Sequence, residues 1–292
     1  MVKITAQMVK ELREMTGAGM MECKKALTEA EGSIDNAVDI MRTRSQAKAA
    51  KRASKVAAEG VVVTRCSEDG LSAMMIEVNC ETDFVARDSN FLDFAQQLAS
   101  SGLEAGVTSV DALMALSPSG NETFEEQRQA LINKIGENVK VRRCQLMTST
   151  GIVGSYNHGS RIGVLVDLNQ ANADLAKDVA MHVAASNPNC VTADQVDQEL
   201  IARERAIYEA QAAESGKDPS IMEKMIEGKL NRFLSEITLV SQPFVKNPDQ
   251  TVQALLSEKS ASVLSMSRIK VGEGIEVEKK DFAAEVAEQL QS

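Results

Sequence analysis

Over the first 43 residues, apolar positions recur every three or four places, the spacing of a single helix face. Met8, Val9, Leu12 and Met15 make one stripe. Thr5 is placed to cap it, Ile4 and Val9 to form a hydrophobic staple, and Gly17 to stop it. Cys23, Ala26, Leu27 and Ala30 make a second stripe, stopped by Gly32. Ser33 then caps a third, bearing Ile34, Ala37, Val38 and Met41. The pattern predicts a three-helix module over 1–43 and, from alanine and basic residues, a helical connector over 44–58. The period then becomes extended. Val61–Thr64 and Ala73–Val78 flank Ser67-Glu68-Asp69-Gly70, a hairpin with Asp-Gly in its loop. Helical patterns follow at Phe91, Phe94, Ala95 and Leu98, and again from Phe124 to Ile135.

This strand–turn–strand–helix order occurs twice. Gly60-Val61-Val62-Val63, Gly70, the strand to Val78 and the helix ending Leu98-Ala99-Ser100 make one unit. Gly151-Ile152-Val153, Gly159, Ile162–Val166 and the helix ending Val183-Ala184-Ala185-Ser186 make another. Two small antiparallel sheets, each covered by helices on one side, predict an α+β core. The first unit is expected over 59–140, the second over 141–193 and 237–271. Between its parts, 194–236 is amphipathic and broken at Ser215-Gly216-Lys217-Asp218-Pro219, which predicts a projecting antiparallel helical hairpin. That hairpin offers a surface for a homodimer, or serves only its own closure. A C-terminal module over 272–292 would hold a last helix, Phe282 to Leu290.

Charge adds one asymmetry. The net charge of -10 argues against a general nucleic-acid binder, yet residues 1–58 carry +4. Arg42, Arg44, Lys48, Lys51, Arg52 and Lys55 run without an acid among them, either as a solvated face or to steer an acidic partner. Five dispersed cysteines show no metal or disulfide spacing and fit reduced thiols. The opening Met1-Val2-Lys3-Ile4-Thr5 has no apolar secretory core, and no run approaches the roughly 18 apolar residues of a membrane span. The expected location is cytoplasmic.

Candidate chemistry is sparse. No GxxxxGK[ST], no GxGxxG after a strand and no GxSxG occurs, which leaves no nucleotide cradle and no recognisable nucleophile. His158 falls at a hairpin tip and His182 on an apolar helix face, without metal-ligand spacing. One stretch stands out, where Thr82-Asp83-Phe84-Val85 leaves the apolar strand. Asp83 suits a helix start, and Phe84 is one of 7 phenylalanines. Composition alone favours a cap and a core anchor. Met20 and Met21, after Gly17 and Gly19, fit core filling or an adaptable contact surface equally well.

Four motifs nonetheless resemble one family. Thr16-Gly17-Ala18-Gly19-Met20-Met21-Glu22-Cys23-Lys24-Lys25-Ala26-Leu27 opens the series. Thr82-Asp83-Phe84-Val85-Ala86-Arg87 is the second. Ser155-Tyr156-Asn157-His158-Gly159 with Arg161–Val166, and Gly272-Glu273-Gly274-Ile275, complete it. In this order and across the whole chain they resemble the bacterial translation elongation factor Ts family. Asn157 stands where the family often has Gln, and so does Glu81. The resemblance implies a ubiquitin-associated-like N-terminal module and identifies 194–236 as an insertion that part of the family carries. It implies a guanine-nucleotide exchange factor for elongation factor Tu, with no covalent chemistry, cofactor or metal of its own and no direct nucleotide binding. By match, Asp83 and Phe84, flanked by Thr82 and Val85, enter the partner and dislodge its magnesium. His158, with Gly159, supports the contact near the partner's phosphate loop, while Arg13, Met20 and Met21 grip its surface. The rival readings are a pure scaffold, in which Asp83 and Phe84 are structural, and a hydrolase whose site carries no known motif.

Overall fold

The computed structural model describes residues 4–118, 120, 122–214 and 218–276. Residues 215–217 of the break expected at 215–219, and the expected last helix at 282–290, lie outside them.

Helix α1 (Ala6–Thr16) begins where the Thr5 hydroxyl accepts the Met8 N–H at 3.3 Å. It ends at Gly17, whose φ of +64° is the left-handed conformation that favours glycine. Helices α2 (Met20–Glu29) and α3 (Ile34–Arg52) complete a module around Leu12, Cys23, Ala26, Leu27, Ala30 and Ala37, with Ile4 and Val9 packed against it. Most of those side chains are small, so the core is small. Met15 departs from the expected stripe and is 60% exposed. One turn after Leu12 the half-buried position goes to Thr16, whose hydroxyl donates to the Leu12 carbonyl at 2.7 Å.

No break separates module from connector, because α3 runs on to Arg52. Alanine, lysine and arginine are all strong helix formers. Arg42, Arg44, Lys48 and Arg52 of the basic run are paired within the chain, while Lys51 and Lys55 are exposed. Arg42 pairs with Glu126 (2.7 Å), Lys48 with Glu22 (2.5 Å), Arg52 with Glu81 (3.5 Å), and Arg44 with Glu29. Exposed pairs contribute under about 1 kcal/mol each, so they orient α3 more than they stabilise it.

Strands β1 (Glu59–Cys66) and β2 (Ser72–Cys80) form the first hairpin. Helices α4 (Ser89–Ala105), α5 (Val110–Met114) and α6 (Phe124–Ile135) follow, then β3 (Lys140–Thr148). Strands β4 (Ile152–His158) and β5 (Ile162–Leu168) and helix α7 (Ala173–Ser186) repeat the plan. Helices α8 (Gln198–Ala213) and α9 (Pro219–Ile237) lie antiparallel. The chain closes with β6 (Pro243–Phe244), β7 (Asn247–Thr251), α10 (Val252–Glu258) and β8 (Val263–Lys270).

The two main sheets are antiparallel, in the orders β1-β2-β3 and β4-β5-β8. The boundary expected at 140/141 therefore moves. Residues 140–148 pair with β2 and complete the first sheet, because its central strand needs a second neighbour. Each sheet carries a helix outside, and the two meet inside. Val61, Met74, Ile76 and Val78 pack under Phe91 and Leu98 of α4. Val164, Val166 and Leu168 pack under Leu175, Val179 and Val183 of α7. Val62, Met75, Met147, Val153, Leu165 and Ile269 fill the joint between the sheets. Burial on both faces explains why β2 and β5 read as continuous apolar runs. The repeated glycines also gain a cause. A Cβ on Gly60 would lie 2.1 Å from the Val78 carbonyl oxygen, and one on Gly151 would lie 2.2 Å from that of Leu168.

A buried carboxylate clasps the joint. Glu77 on β2 accepts from Arg143 Nε, Arg142 Nη1 (3.3 Å), Asn79 Nδ2 (3.1 Å) and the Gly272 N–H beyond β8 (2.8 Å). Arg143 also donates to the Lys270 carbonyl at 2.7 Å, and Arg142 to that of Glu273 at 2.6 Å. Burial pushes the Glu77 pKa up, but the Arg143 and Gly272 hydrogen bonds outweigh it and hold the carboxyl below its ordinary value.

His182 is fully buried on α7, as the apolar face predicts. The Gln242 amide donates to the Glu236 carbonyl at 2.7 Å, so its oxygen must accept from His182 Nε2 at 2.9 Å. His182 Nδ1 accepts the Val245 N–H at 3.2 Å. The ring is therefore neutral, and burial holds its pKa below the ordinary 6.5. Its contribution to stability is present above 6.5 and lost as pH falls from there toward the depressed folded value. The unfolding free energy from urea titrations should fall across that window, by up to about 1.4 kcal/mol per pH unit. His182→Gln, which can donate to Gln242 without titrating, should remove that slope. An equal slope in both proteins would place the titration elsewhere.

Candidate functional site

Strand β2 ends in a tight turn that separates two neighbours in sequence. Val85 points inward and is buried, while Phe84 is 81% exposed. The turn is closed by its own backbone. Ala86 N–H donates to the Thr82 carbonyl at 3.3 Å, and Arg87 N–H to that of Phe84 at 3.1 Å. Glu137, in the turn after α6, grips its base. One carboxylate oxygen accepts the Thr82 N–H at 3.0 Å and the other the Thr82 hydroxyl at 2.8 Å. Glu81 braces the other side by accepting the Asn138 N–H at 2.6 Å, beside Arg52. The result is a stiff pedestal with an aromatic ring on top.

The reading of Asp83 as a cap and Phe84 as a core anchor is overturned. Asp88 caps α4, accepting the N–H groups of Asn90 (2.9 Å) and Phe91 (3.3 Å). The Asn90 side-chain hydrogen bond is the main cause that holds its carboxyl below the usual range. Phe91 and Phe94, and not Phe84, are the core phenylalanines of this stretch. Asp83 instead pairs with Arg87 at 2.9 Å in the open. Keeping a phenylalanine out of the core forgoes about 2–3 kcal/mol of burial. No reactive thiol lies close by. Burial, then the charges of Glu137 and Glu59, push Cys80 up to about 12, and it donates to the Thr82 carbonyl at 3.2 Å.

The other expected residues sit on separate elements. Met20 and Met21 are 61% and 77% exposed at the start of α2, so core filling is overturned for both. Arg13 is exposed on α1 and lines a groove of about 850 Å³ with Met15, Asn90, Phe94 and Lys134, between the N-terminal module and the core. His158 and Gly159 are exposed at the tip of the β4–β5 hairpin, with Tyr156 Oη 3.5 Å from His158 Nδ1. Thr82–Val85 share one turn, and the structure brings none of the other expected residues into it. Among the described residues no group of three or more His, Cys, Asp or Glu could hold a metal ion, and no helix is long and apolar enough to cross a membrane.

Glu137 and its neighbour Asn138 escape sequence reasoning. They lie 55 and 57 residues from the groups they hold, with no local pattern to link them. Glu137→Ala should leave two donors unpartnered and loosen the pedestal. The Val85 and Ala86 amides should then exchange with solvent about tenfold faster or more. Unchanged exchange there would show that the backbone turn holds itself.

The architecture defines a class: a two-unit α+β protein with a three-helix N-terminal module and a projecting helical hairpin. A family model described as elongation factor TS matches residues 81–273. A protein from Hahella chejuensis named elongation factor Ts is 54% identical over 291 residues, covering 99% of each chain. One of the same name from Nitrosospira multiformis is 52% identical over 293 residues, covering 99% of this chain and 97% of its own. A third, from Methylococcus capsulatus, is 51% identical over the full length of both. The chain belongs to the elongation factor Ts family.

Proposed function

We propose that this chain is a guanine-nucleotide exchange factor that binds elongation factor Tu and promotes its release of guanosine diphosphate. One observation carries the reading: a large aromatic ring, 81% exposed, stands on a turn fixed by Glu137 and by buried Val85. A ring so held enters a partner's crevice without first losing conformational freedom. Nucleotide held at nanomolar affinity is bound by about 12 kcal/mol, much of it through phosphate contacts and magnesium. A factor that prefers the empty partner must weaken nucleotide binding by the same ratio. No covalent step is needed.

Arg13, Met20 and Met21 provide one docking surface, and His158 with Gly159 another. Phe84 is the wedge between them in function. Asp83 must leave Arg87 to reach the partner, at a cost under about 1 kcal/mol for so exposed a pair. The test is release of fluorescent guanosine diphosphate from purified elongation factor Tu. Strong acceleration by the full chain is expected. No acceleration would sink the exchange reading and leave the scaffold.

A further inference from the structure

Methionine is common in this chain, but its exposure is not spread evenly. Among the described residues, only Met15, Met20 and Met21 are exposed methionines, at 60%, 61% and 77%. All three flank the Gly17–Gly19 turn, and Met15 lines the same groove as Arg13. Met74, Met75 and Met147 are buried, and the other described methionines are at least half covered or packed. Thioether oxidation follows solvent access, so an oxidant meets this turn first.

We propose that Met15, Met20 and Met21 form an oxidation site through which peroxide weakens docking of the N-terminal module. The proposal rests on the exchange reading above. Hydrogen peroxide transfers one oxygen to each sulfur. The O–O bond breaks, the sulfur loses two electrons to form a sulfoxide, and water leaves. A sulfoxide reductase reverses the step with a dithiol, which becomes a disulfide as the oxygen departs as water. The change converts a flexible apolar contact into a polar one, which suits neither an apolar partner surface nor its desolvation. It leaves the fold alone, because the module's core is Leu12, Cys23, Ala26 and Leu27. It also leaves the Phe84 turn alone. Oxidation therefore acts on docking and not on the wedge.

The test treats the full chain with hydrogen peroxide, removes the oxidant with catalase, and adds dithiothreitol to reverse cysteine oxidation, since Cys66 is exposed. Peptide mass spectrometry locates sulfoxides. The protein is then titrated against elongation factor Tu loaded with fluorescent guanosine diphosphate. The concentration for half-maximal acceleration should rise about tenfold while the ceiling stays unchanged. Sulfoxide reductases A and B should restore it. A Met15→Leu, Met20→Leu, Met21→Leu variant should keep its own titration curve through peroxide treatment. Sulfoxide at all three positions with an unmoved curve would overturn the proposal. So would a lowered ceiling without a shift, sulfoxide forming first at Met74 or Met75, a shift that persists in the triple variant, or a loss that tracks a fallen melting temperature. Failure of untreated protein to accelerate release appears before any oxidant is added, and refutes the exchange reading itself.

Discussion

Phe84→Ala should abolish most of the acceleration of nucleotide release while the protein melts as before. The ring is 81% exposed, so its removal uncovers almost no core and should change stability by under about 0.5 kcal/mol. At an interface the same truncation is of a different order. A buried aromatic anchor is worth about 2–3 kcal/mol, or roughly 30- to 150-fold in rate if it acts only on the nucleotide-free state. Stopped-flow release of fluorescent guanosine diphosphate, beside a thermal melt, separates the two effects. Equal acceleration by both proteins would keep the function and move the mechanism away from Phe84. A lowered melting temperature would make the ring structural after all.

Glu77→Leu should have the opposite signature, a large loss of stability with the pedestal residues untouched. The carboxylate holds Arg142, Arg143, Asn79 and the Gly272 amide together across the two sheets. Removing one member of a buried ion pair costs about 3–5 kcal/mol, and the lower end applies because both arginines retain access to water. About 3 kcal/mol corresponds to a melting temperature roughly 6–12 °C lower for a domain of this size. The pH dependence has a sign. The Glu77 carboxyl is held below 4.5, so its contribution is present above 4.5 and lost as pH falls toward its folded value. Native protein should weaken across that acidic window more steeply than the variant. A variant as stable as the native chain would show that leucine packing replaces the clasp.

Local signals in the sequence proved dependable. Thr5, Gly17 and Ser33 mark helix ends because caps and left-handed turns act within a few residues. The doubled strand–turn–strand–helix plan is legible because Gly60 and Gly151 answer the same close approach. Long-range choices were not legible. Which sheet receives residues 140–148 depends on β2 lacking a second neighbour, a fact of assembly. At residue 44 the composition shift marks no change of conformation: α3 runs on, and its basic side chains pair both inside the module, with Glu22 and Glu29, and outside it, with Glu126 and Glu81. Asp83 and Asp88 both stand ahead of the helix, and Asp88 is the one whose carboxylate accepts its first N–H groups. For Phe84, family resemblance pointed outward where residue statistics pointed inward.

The α8–α9 hairpin leaves and rejoins the core through one narrow opening. Asn189 N–H donates to the Ile237 carbonyl at 2.8 Å, and Leu239 N–H to that of Cys190 at 2.9 Å. Those two bonds close the neck before the helices begin. Everything beyond the neck is, to the second sheet, a single loop. Closing a loop costs only about 0.6 kcal/mol for each doubling of its length. Evolution can therefore lengthen, shorten or delete this arm almost freely, and an engineer can splice another domain into it, while β8 still finds its place beside β5.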